Sequence, residues 1–171
     1  YTPAIKAAQE LIDTTPEVTE AQQTASLSSA APGWAPGEPI PVEFTCQGTA
    51  TSPPLAIVGV PEGTAELLLV VRDLGDDGYL QWVVAGIAPG DPSFSAGSIP
   101  AGAEQLYNDG DVTSWRAPCP PAGTGRHAYE FTAYALAQPS GLGTDSSRTA
   151  IVSVAQNAAS SASLVGTYAR G

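Results

Sequence analysis

The stretch Ala65-Glu66-Leu67-Leu68-Leu69-Val70-Val71 indicates the class of fold. Its unbroken run of branched apolar residues has the length of a strand that is buried on both faces. Three further segments have strand character, residues 41–46, 81–87 and 129–136, and Gly- and Pro-rich turns separate them. Because no helical pattern alternates with these segments, a doubly wound parallel sheet is disfavoured. We predict a mainly β (α+β) fold of two packed antiparallel sheets, with residues 67–71 in a central strand.

The N-terminal stretch differs from the rest of the chain. Apolar residues recur at helical spacing over residues 5–12, and Thr15-Pro16-Glu17 has the form of a helix start. Large apolar side chains are few in this stretch, so it has little with which to build a core of its own. We predict a peripheral N-terminal helical extension or stalk over residues 1–25 and a single domain over residues 26–171.

The C-terminal end combines a helix with a last strand. An apolar stripe from Ile151 to Ala158 has helical spacing, and Thr144 or Asp145 before it is a candidate N-cap. Residues 162–170 then return to strand character. We predict a C-terminal helix that packs on the sheets.

Charge and composition restrict the partners and the compartment. The chain of 171 residues has 6 basic and 17 acidic side chains, a net charge of −11 that disfavours nucleic acid as a partner. No apolar run is long enough for a membrane span. The chain starts at Tyr1 and contains no Met, which is typical of a processed chain. We expect an exported protein, extracellular or attached to the cell envelope, with a lipoprotein-type anchor upstream of Tyr1.

Several motifs follow one another in a fixed order along the chain. They are Gly37-Glu38-Pro39-Ile40-Pro41-Val42-Glu43-Phe44-Thr45-Cys46-Gln47-Gly48, Ser52-Pro53-Pro54-Leu55, Gln81-Trp82-Val83-Val84, Pro118-Cys119-Pro120-Pro121-Ala122-Gly123 and His127-Ala128-Tyr129-Glu130-Phe131. In order and spacing the chain resembles the phosphatidylethanolamine-binding protein (Raf kinase inhibitor protein) family, in particular its exported bacterial YbhB/YbcL-like branch. The resemblance covers nearly all of the chain beyond the N-terminal extension, and it implies the two-sheet fold of that family.

The resemblance also implies a ligand site. In the family, the matching positions surround a small cavity that binds phosphate, acetate or phosphorylated headgroups. Carried over residue by residue, the expected ligand-binding residues are Asp73, Gln81, Cys119, Pro120, Pro121, His127 and Tyr129. Both cysteines lie in motifs that face this cavity in the family, which implies a Cys46–Cys119 disulfide. No catalytic residue, metal site or cofactor is expected, and a Cys-x-x-Cys zinc motif does not occur in the sequence.

The chain departs from the family pattern in two places, a loop of five residues and a single residue. The sequence Asp73-Leu74-Gly75-Asp76-Asp77 stands where the family has Asp-Pro-Asp-Ala-Pro, and Gln81 stands where the family has a histidine. A glutamine amide donates a hydrogen bond without charge, so it holds an anion less strongly than an imidazolium does. We therefore expect a partly degenerate phosphate-type pocket that binds anions weakly.

Three functions remain open at this point. The first is a noncatalytic protein that binds a small anionic or headgroup-like ligand. The second is an interaction protein that inhibits a protease- or kinase-type partner, and the third is an enzyme in which His127 or Asp73 moves a proton. His127 is the only histidine, and no Gly-x-Ser-x-Gly elbow occurs. The chain is expected to be a monomer or a dimer.

Overall fold

The computed structural model describes residues 25–170. The predicted N-terminal extension, apart from its last residue, lies outside the described residues. The strands are β1 (Ser26–Ser29), β2 (Leu55–Val58), β3 (Glu66–Asp73), β4 (Tyr79–Ile87), β5 (Ser93–Phe94), β6 (Glu104–Gln105), β7 (His127–Leu136) and β8 (Ser160–Tyr168). The helix α1 (Arg148–Gln156) and the 3₁₀ turns Val42–Phe44 and Leu74–Asp76 complete the described elements.

The strands form two antiparallel sheets. The larger has the order β6-β4-β3-β7-β8 and the smaller the order β1-β2-β5. Strand β3 lies at the centre of the larger sheet, between β4 and β7. The predicted mainly β architecture with a C-terminal helix is therefore confirmed, and the apolar run of residues 67–71 is central as expected.

The larger sheet is buried on both faces, which explains the unbroken apolar run of β3. Leu67, Leu69 and Val71 face the smaller sheet and belong to the core between the two sheets. Leu68 and Val70 point the other way and pack in a second core that includes residues of α1. Because alternate side chains of a strand leave on opposite faces, each face of β3 needs its own apolar set.

Residues 41–46 do not form the predicted strand, and that prediction was wrong. Val42–Phe44 is a 3₁₀ turn in which Pro41 and Val42 carbonyls accept from the amides of Phe44 and Thr45. Phe44 is fully buried in the core, and the Thr45 hydroxyl donates to the Val42 carbonyl at 2.8 Å. Phe44 is apolar because it anchors the turn in the core, and Thr45 is polar because its hydroxyl bonds to the turn. A strand gives the same alternation of apolar and polar residues, so the sequence pattern cannot distinguish the two structures.

The helix begins later than either candidate cap. Ser147 is the N-cap, and its hydroxyl accepts from the Ala150 amide at 3.1 Å. Thr144 instead donates to Glu104, which belongs to β6, an edge strand of the larger sheet. Within residues 25–170, no helix has both the length and the apolar character that a membrane crossing requires.

Candidate functional site

A cavity opens at one end of the larger sheet. Strand β3 ends at Asp73 where β4 begins at Tyr79, and β7 begins nearby at His127. The cavity has a volume of about 840 Å³. Six of the seven predicted ligand-binding residues line it: Asp73, Gln81, Cys119, Pro120, Pro121 and His127. The antiparallel arrangement brings these distant parts of the chain to the same sheet end.

Asp73 and His127 form the polar floor of the cavity. The Nδ1 atom of His127 lies 2.9 and 3.0 Å from the two carboxylate oxygens of Asp73. One of these oxygens also accepts from the Gly75 amide at 2.9 Å. Nδ1 is held by the carboxylate, whereas the second ring nitrogen, Nε2, makes no hydrogen bond to a described residue.

The close approach of His127 depends on a glycine. A Cβ atom at Gly75 would lie 2.7 Å from Cγ of His127 and 2.8 Å from its Nδ1. The imidazole therefore rests directly on the backbone of the 3₁₀ turn that follows β3. This contact gives a physical reason for the glycine at position 75.

Gln81 reaches the cavity through a bulge in β4. Val71 pairs with Trp82 and Arg72 pairs with Leu80, so Gln81 is an extra residue between them. Trp82 enters the core between the sheets, whereas Leu80 packs on the α1 side. The bulge thus allows Gln81 to line the cavity next to a core tryptophan.

The amide of Gln81 is partly committed to the protein itself. The side-chain Nε2 donates to the Arg116 carbonyl at 2.8 Å, and the backbone carbonyl of Gln81 accepts from the Arg116 amide at 3.1 Å. One N–H of the amide is therefore engaged with the cavity loop, which leaves the other as an uncharged donor.

The two cysteines form the predicted disulfide. Cys46 and Cys119 are bonded, with their Cα atoms 5.4 Å apart. Both line the cavity, and the Cys46 amide also donates to the Pro118 carbonyl at 3.1 Å. The bond joins the segment after the 3₁₀ turn 42–44 to the Pro120-Pro121 loop, so it forms part of the cavity wall.

Tyr129 lies behind the cavity and not on its surface. Its ring stacks beside the His127 ring, with centroids 6.3 Å apart, and the residue is fully buried. Burial, and then the negative charge of Asp73, raise the pKa of the Tyr129 phenol above its ordinary value. Asp73 is close enough for this effect, yet the hydroxyl makes no well-formed hydrogen bond to any described residue. Tyr129 was expected to contact the ligand, but it does not line the cavity and packs beside His127.

The cavity also contains residues that the family resemblance did not imply. Tyr79, Asp76, Trp115 and Arg116 line its walls. The indole N–H of Trp115 donates to the Phe44 carbonyl at 3.1 Å, which fixes that wall. Arg116 does have a signal in the sequence, since it is one of 6 basic residues and lies three residues before Cys119 of the Cys-Pro-Pro loop.

The arrangement suits recognition of a ligand by hydrogen bonds and charge. Within residues 25–170, no three His, Cys, Asp or Glu side chains stand together in a way that could hold a metal ion. In the same range, the polar contact of His127 is with Asp73, and no serine or threonine hydroxyl bonds to its ring. The described geometry thus offers an oriented imidazole but assembles no nucleophile beside it.

Comparison with known proteins gives concordant similarities. The family model described as phosphatidylethanolamine-binding protein matches residues 30–169. LppC of Mycobacterium tuberculosis, which is named as a candidate lipoprotein, is 44% identical over 156 residues, covering 88% of this chain and 76% of LppC.

Two solved structures have a similar fold. CT736 of Chlamydia trachomatis, described as a candidate homologue of phosphatidylethanolamine-binding protein, superimposes with a TM-score of 0.77 at 28% identity, over 88% of this chain and 100% of CT736. YbcL of Escherichia coli, described as a member of the mammalian family of these proteins, superimposes with a TM-score of 0.76 at 25% identity. The match covers 86% of this chain and 99% of YbcL.

Proposed function

Because the chain belongs to the phosphatidylethanolamine-binding protein family, we propose that it is a noncatalytic protein whose cavity binds a small oxyanion or headgroup-like ligand. The observation that carries this proposal is the meeting of Asp73, Gln81, His127 and the loop 119–121 around a single cavity. Its volume of about 840 Å³ lies within the range of small-molecule sites.

The donors of the cavity favour weak binding of simple anions. His127 supplies an oriented Nε2, and Gln81 supplies one uncharged N–H that is not used by the Arg116 carbonyl. A neutral amide donor contributes about half the strength of a charge-assisted one. We therefore propose affinities for phosphate and acetate in the millimolar range.

Titration calorimetry with phosphate, acetate and phosphorylethanolamine tests this function. We expect millimolar binding by the wild type and loss of binding in His127→Ala. Arg148→Gln, a change at an ion pair outside the cavity lining, is the control and should bind as the wild type does. The proposal fails if the wild type binds none of the three at tens of millimolar. Micromolar affinity for phosphorylethanolamine would contradict the weak, degenerate character that we assign to the pocket.

An interaction protein that inhibits a protease- or kinase-type partner is the second candidate. Exposed apolar side chains near the cavity favour it, since Leu74 follows Asp73 directly with 47% of its surface exposed, and Val112 on the wall has 41%. Leu74→Asp would abolish inhibition of such a partner but leave anion binding unchanged. If His127→Ala removes anion binding and inhibition alike, the two functions share the cavity.

A proton-transfer enzyme is the third candidate, and the contact between Asp73 and His127 favours it because a carboxylate can orient an imidazole for base catalysis. An Asp73→Asn variant distinguishes an enzyme from a binding protein. An enzyme would lose turnover with little change in KM, whereas a binding protein has no turnover to lose.

We also propose that the protein is exported and is held at the cell envelope by a lipid anchor that precedes Tyr1. The name of the similar LppC and the Cys46–Cys119 disulfide support this proposal, since disulfides persist in oxidising compartments. In this arrangement residues 1–25 are a stalk and residues 26–171 are the binding domain. Limited proteolysis should cut within the stalk and release a folded domain, and labelling with a radioactive fatty acid should mark the protein in cells.

A further inference from the structure

The charges that line the cavity do not by themselves favour an anion. Asp73 is paired with His127, so this pair is neutral when the imidazole is protonated and negative when it is not. Asp76 adds a second carboxylate. Among the described residues that line the cavity, Arg116 is the side chain that carries a permanent positive charge. How strongly the cavity attracts an oxyanion therefore depends in part on where this guanidinium lies.

The guanidinium of Arg116 is not neutralised by a described partner. Within residues 25–170 the ion pairs are those of His127 with Asp73 and of Arg148 with Asp109, and neither involves Arg116. Its charge is thus available on the cavity wall of a protein that has 6 basic and 17 acidic side chains. A carboxylate close to this guanidinium would attract it, yet no described carboxylate forms an ion pair with Arg116.

The position of Arg116 is set by its backbone and by two neighbours. Its amide and its carbonyl are both hydrogen-bonded to Gln81, at 3.1 and 2.8 Å. The guanidinium carbon lies 5.6 Å from the centroid of the Tyr79 ring, a cation–π contact. The side chain also crosses Gly110, where a Cβ atom would meet Nη1 at 2.9 Å and Cδ at 3.2 Å. These contacts preorganise the guanidinium and so reduce the entropy lost when a ligand binds.

Resting on the proposed function of the cavity as a ligand site, we propose that Arg116 is its principal anion-binding residue and that the ligand is an oxyanion with an organic group attached. A guanidinium presents a planar pair of N–H donors that fits a carboxylate or a phosphate group. The apolar parts of Trp115, Pro121 and Val112 line the same cavity, and its volume of about 840 Å³ leaves room beyond a single oxyanion. The organic group lies against this apolar wall.

The first experiment titrates four probes into the protein by calorimetry: acetate, benzoate, inorganic phosphate and phenyl phosphate. We expect each aromatic probe to bind more tightly than its simple counterpart, and Arg116→Gln to weaken both aromatic probes by about tenfold or more. Arg72→Gln is the matched control, because it removes the same charge from a side chain that lies over Tyr134 and outside this cavity. It should bind as the wild type does. A preference for benzoate over phenyl phosphate would identify a carboxylate ligand, and the reverse a phosphate ester.

A second variant moves the guanidinium without removing its charge. Gly110→Ala places a methyl group against Nη1 and Cδ of Arg116 and against the Tyr79 hydroxyl, and the backbone of Gly110 is not in the left-handed region. We expect affinity for the aromatic probes to fall, with the unfolding midpoint in urea nearly unchanged because the contacted atoms are at or near the outer ends of two side chains that can move. Wild-type affinity in both Arg116→Gln and Gly110→Ala overturns the inference while the binding function stands. A wild type that binds none of the probes overturns the proposed function together with the inference.

Discussion

Single atoms decide the geometry of the cavity floor. The His127 imidazole reaches Asp73 because Gly75 has no side chain, and Tyr129 beneath it is too deeply buried to face the cavity. Both features follow from packing between the turn after β3 and the first residues of β7. Single substitutions at Gly75 and Tyr129 therefore test this packing.

Gly75→Ala should displace the His127 ring from Asp73. The added methyl would lie 2.7 Å from Cγ of the imidazole, so the ring or the turn must move. We expect the free energy of unfolding to fall by about 1–3 kcal/mol, as for other insertions into packed sites. Urea unfolding measures the loss, and NMR of the imidazole nitrogens should report a weaker contact with Asp73.

Gly90→Ala is the matched control, since nothing lies within 4 Å of its added Cβ and its backbone is not left-handed. It should be neutral or slightly stabilising. An unchanged stability and an unchanged imidazole spectrum in Gly75→Ala would mean that the glycine is not what admits the ring.

Tyr129→Phe should remove a source of instability at high pH. The pKa of the Tyr129 phenol is raised above its ordinary value of 10.0, first by burial and then by Asp73. Above about pH 10 the unfolded chain loses the phenol proton while the folded protein keeps it, so the free energy of unfolding falls as pH rises. Phe has no such proton. Urea unfolding at pH 7 and near pH 11 should therefore show an advantage for Phe that appears only at the higher pH.

At pH 7 the same change should cost little, because the hydroxyl makes no hydrogen bond to a described residue. Tyr107→Phe, at an exposed ring, is the control and should follow the wild type at both pH values. A constant difference between Tyr129→Phe and wild type across the pH range would contradict the raised pKa.

At the scale of elements, the edge of the larger sheet is covered by residues 30–41, the connector between β1 and the 3₁₀ turn Val42–Phe44. Trp34 donates from its indole to the Val165 carbonyl at 3.2 Å, and Ile40 donates its amide to the Thr167 carbonyl at 2.8 Å. Both side chains lie across Gly166 of β8. The connector thus satisfies backbone groups that an edge strand would otherwise expose.

Gly166→Ala should loosen this connector. Its Cβ atom would lie 2.5 Å from Cγ1 of Ile40 and 2.6 Å from the indole nitrogen of Trp34. We expect a loss of about 1–3 kcal/mol in the free energy of unfolding and a change in tryptophan fluorescence as Trp34 becomes exposed. Gly143→Ala, with nothing within 4 Å of its Cβ, is the control for both measurements. Wild-type fluorescence in Gly166→Ala would show that the connector does not depend on the close approach.

At the scale of the whole molecule, one covalent bond joins parts of the chain that are far apart in sequence. Cys46 and Cys119 are separated by 73 residues, and the closed loop contains strands of both sheets. The bond also forms part of the cavity wall. It therefore connects the stability of the fold to the shape of the candidate site.

Replacing both cysteines by alanine should lower the free energy of unfolding by about 4 kcal/mol, because the unfolded chain regains the freedom that the loop removes. Urea unfolding of this variant against the wild type measures the change. Mass spectrometry after alkylation of the denatured protein checks the bond itself. Without reductant no alkyl group should be added, and after reduction two should be. Two groups added without reductant would refute the disulfide.

The sequence by itself determined the class of fold. The run of residues 67–71, the Gly- and Pro-rich turns and the helical stripe near the C-terminus are local patterns, and each reflects which side chains must leave water. Family resemblance then placed most of the cavity residues and the disulfide. Motif order carries this information because antiparallel pairing brings the same motifs to the same sheet end.

Only the tertiary structure decided the details of the site. The bulge that turns Gln81 towards the cavity, the burial of Tyr129 behind His127 and the place of Arg116 beside Tyr79 depend on strand register and on contacts between distant residues. Residues 42–44 have the alternation of a strand but form a turn, because Phe44 is buried by the core and not by a sheet partner. Local patterns record whether a residue is buried, whereas the packed chain alone determines which residues bury it.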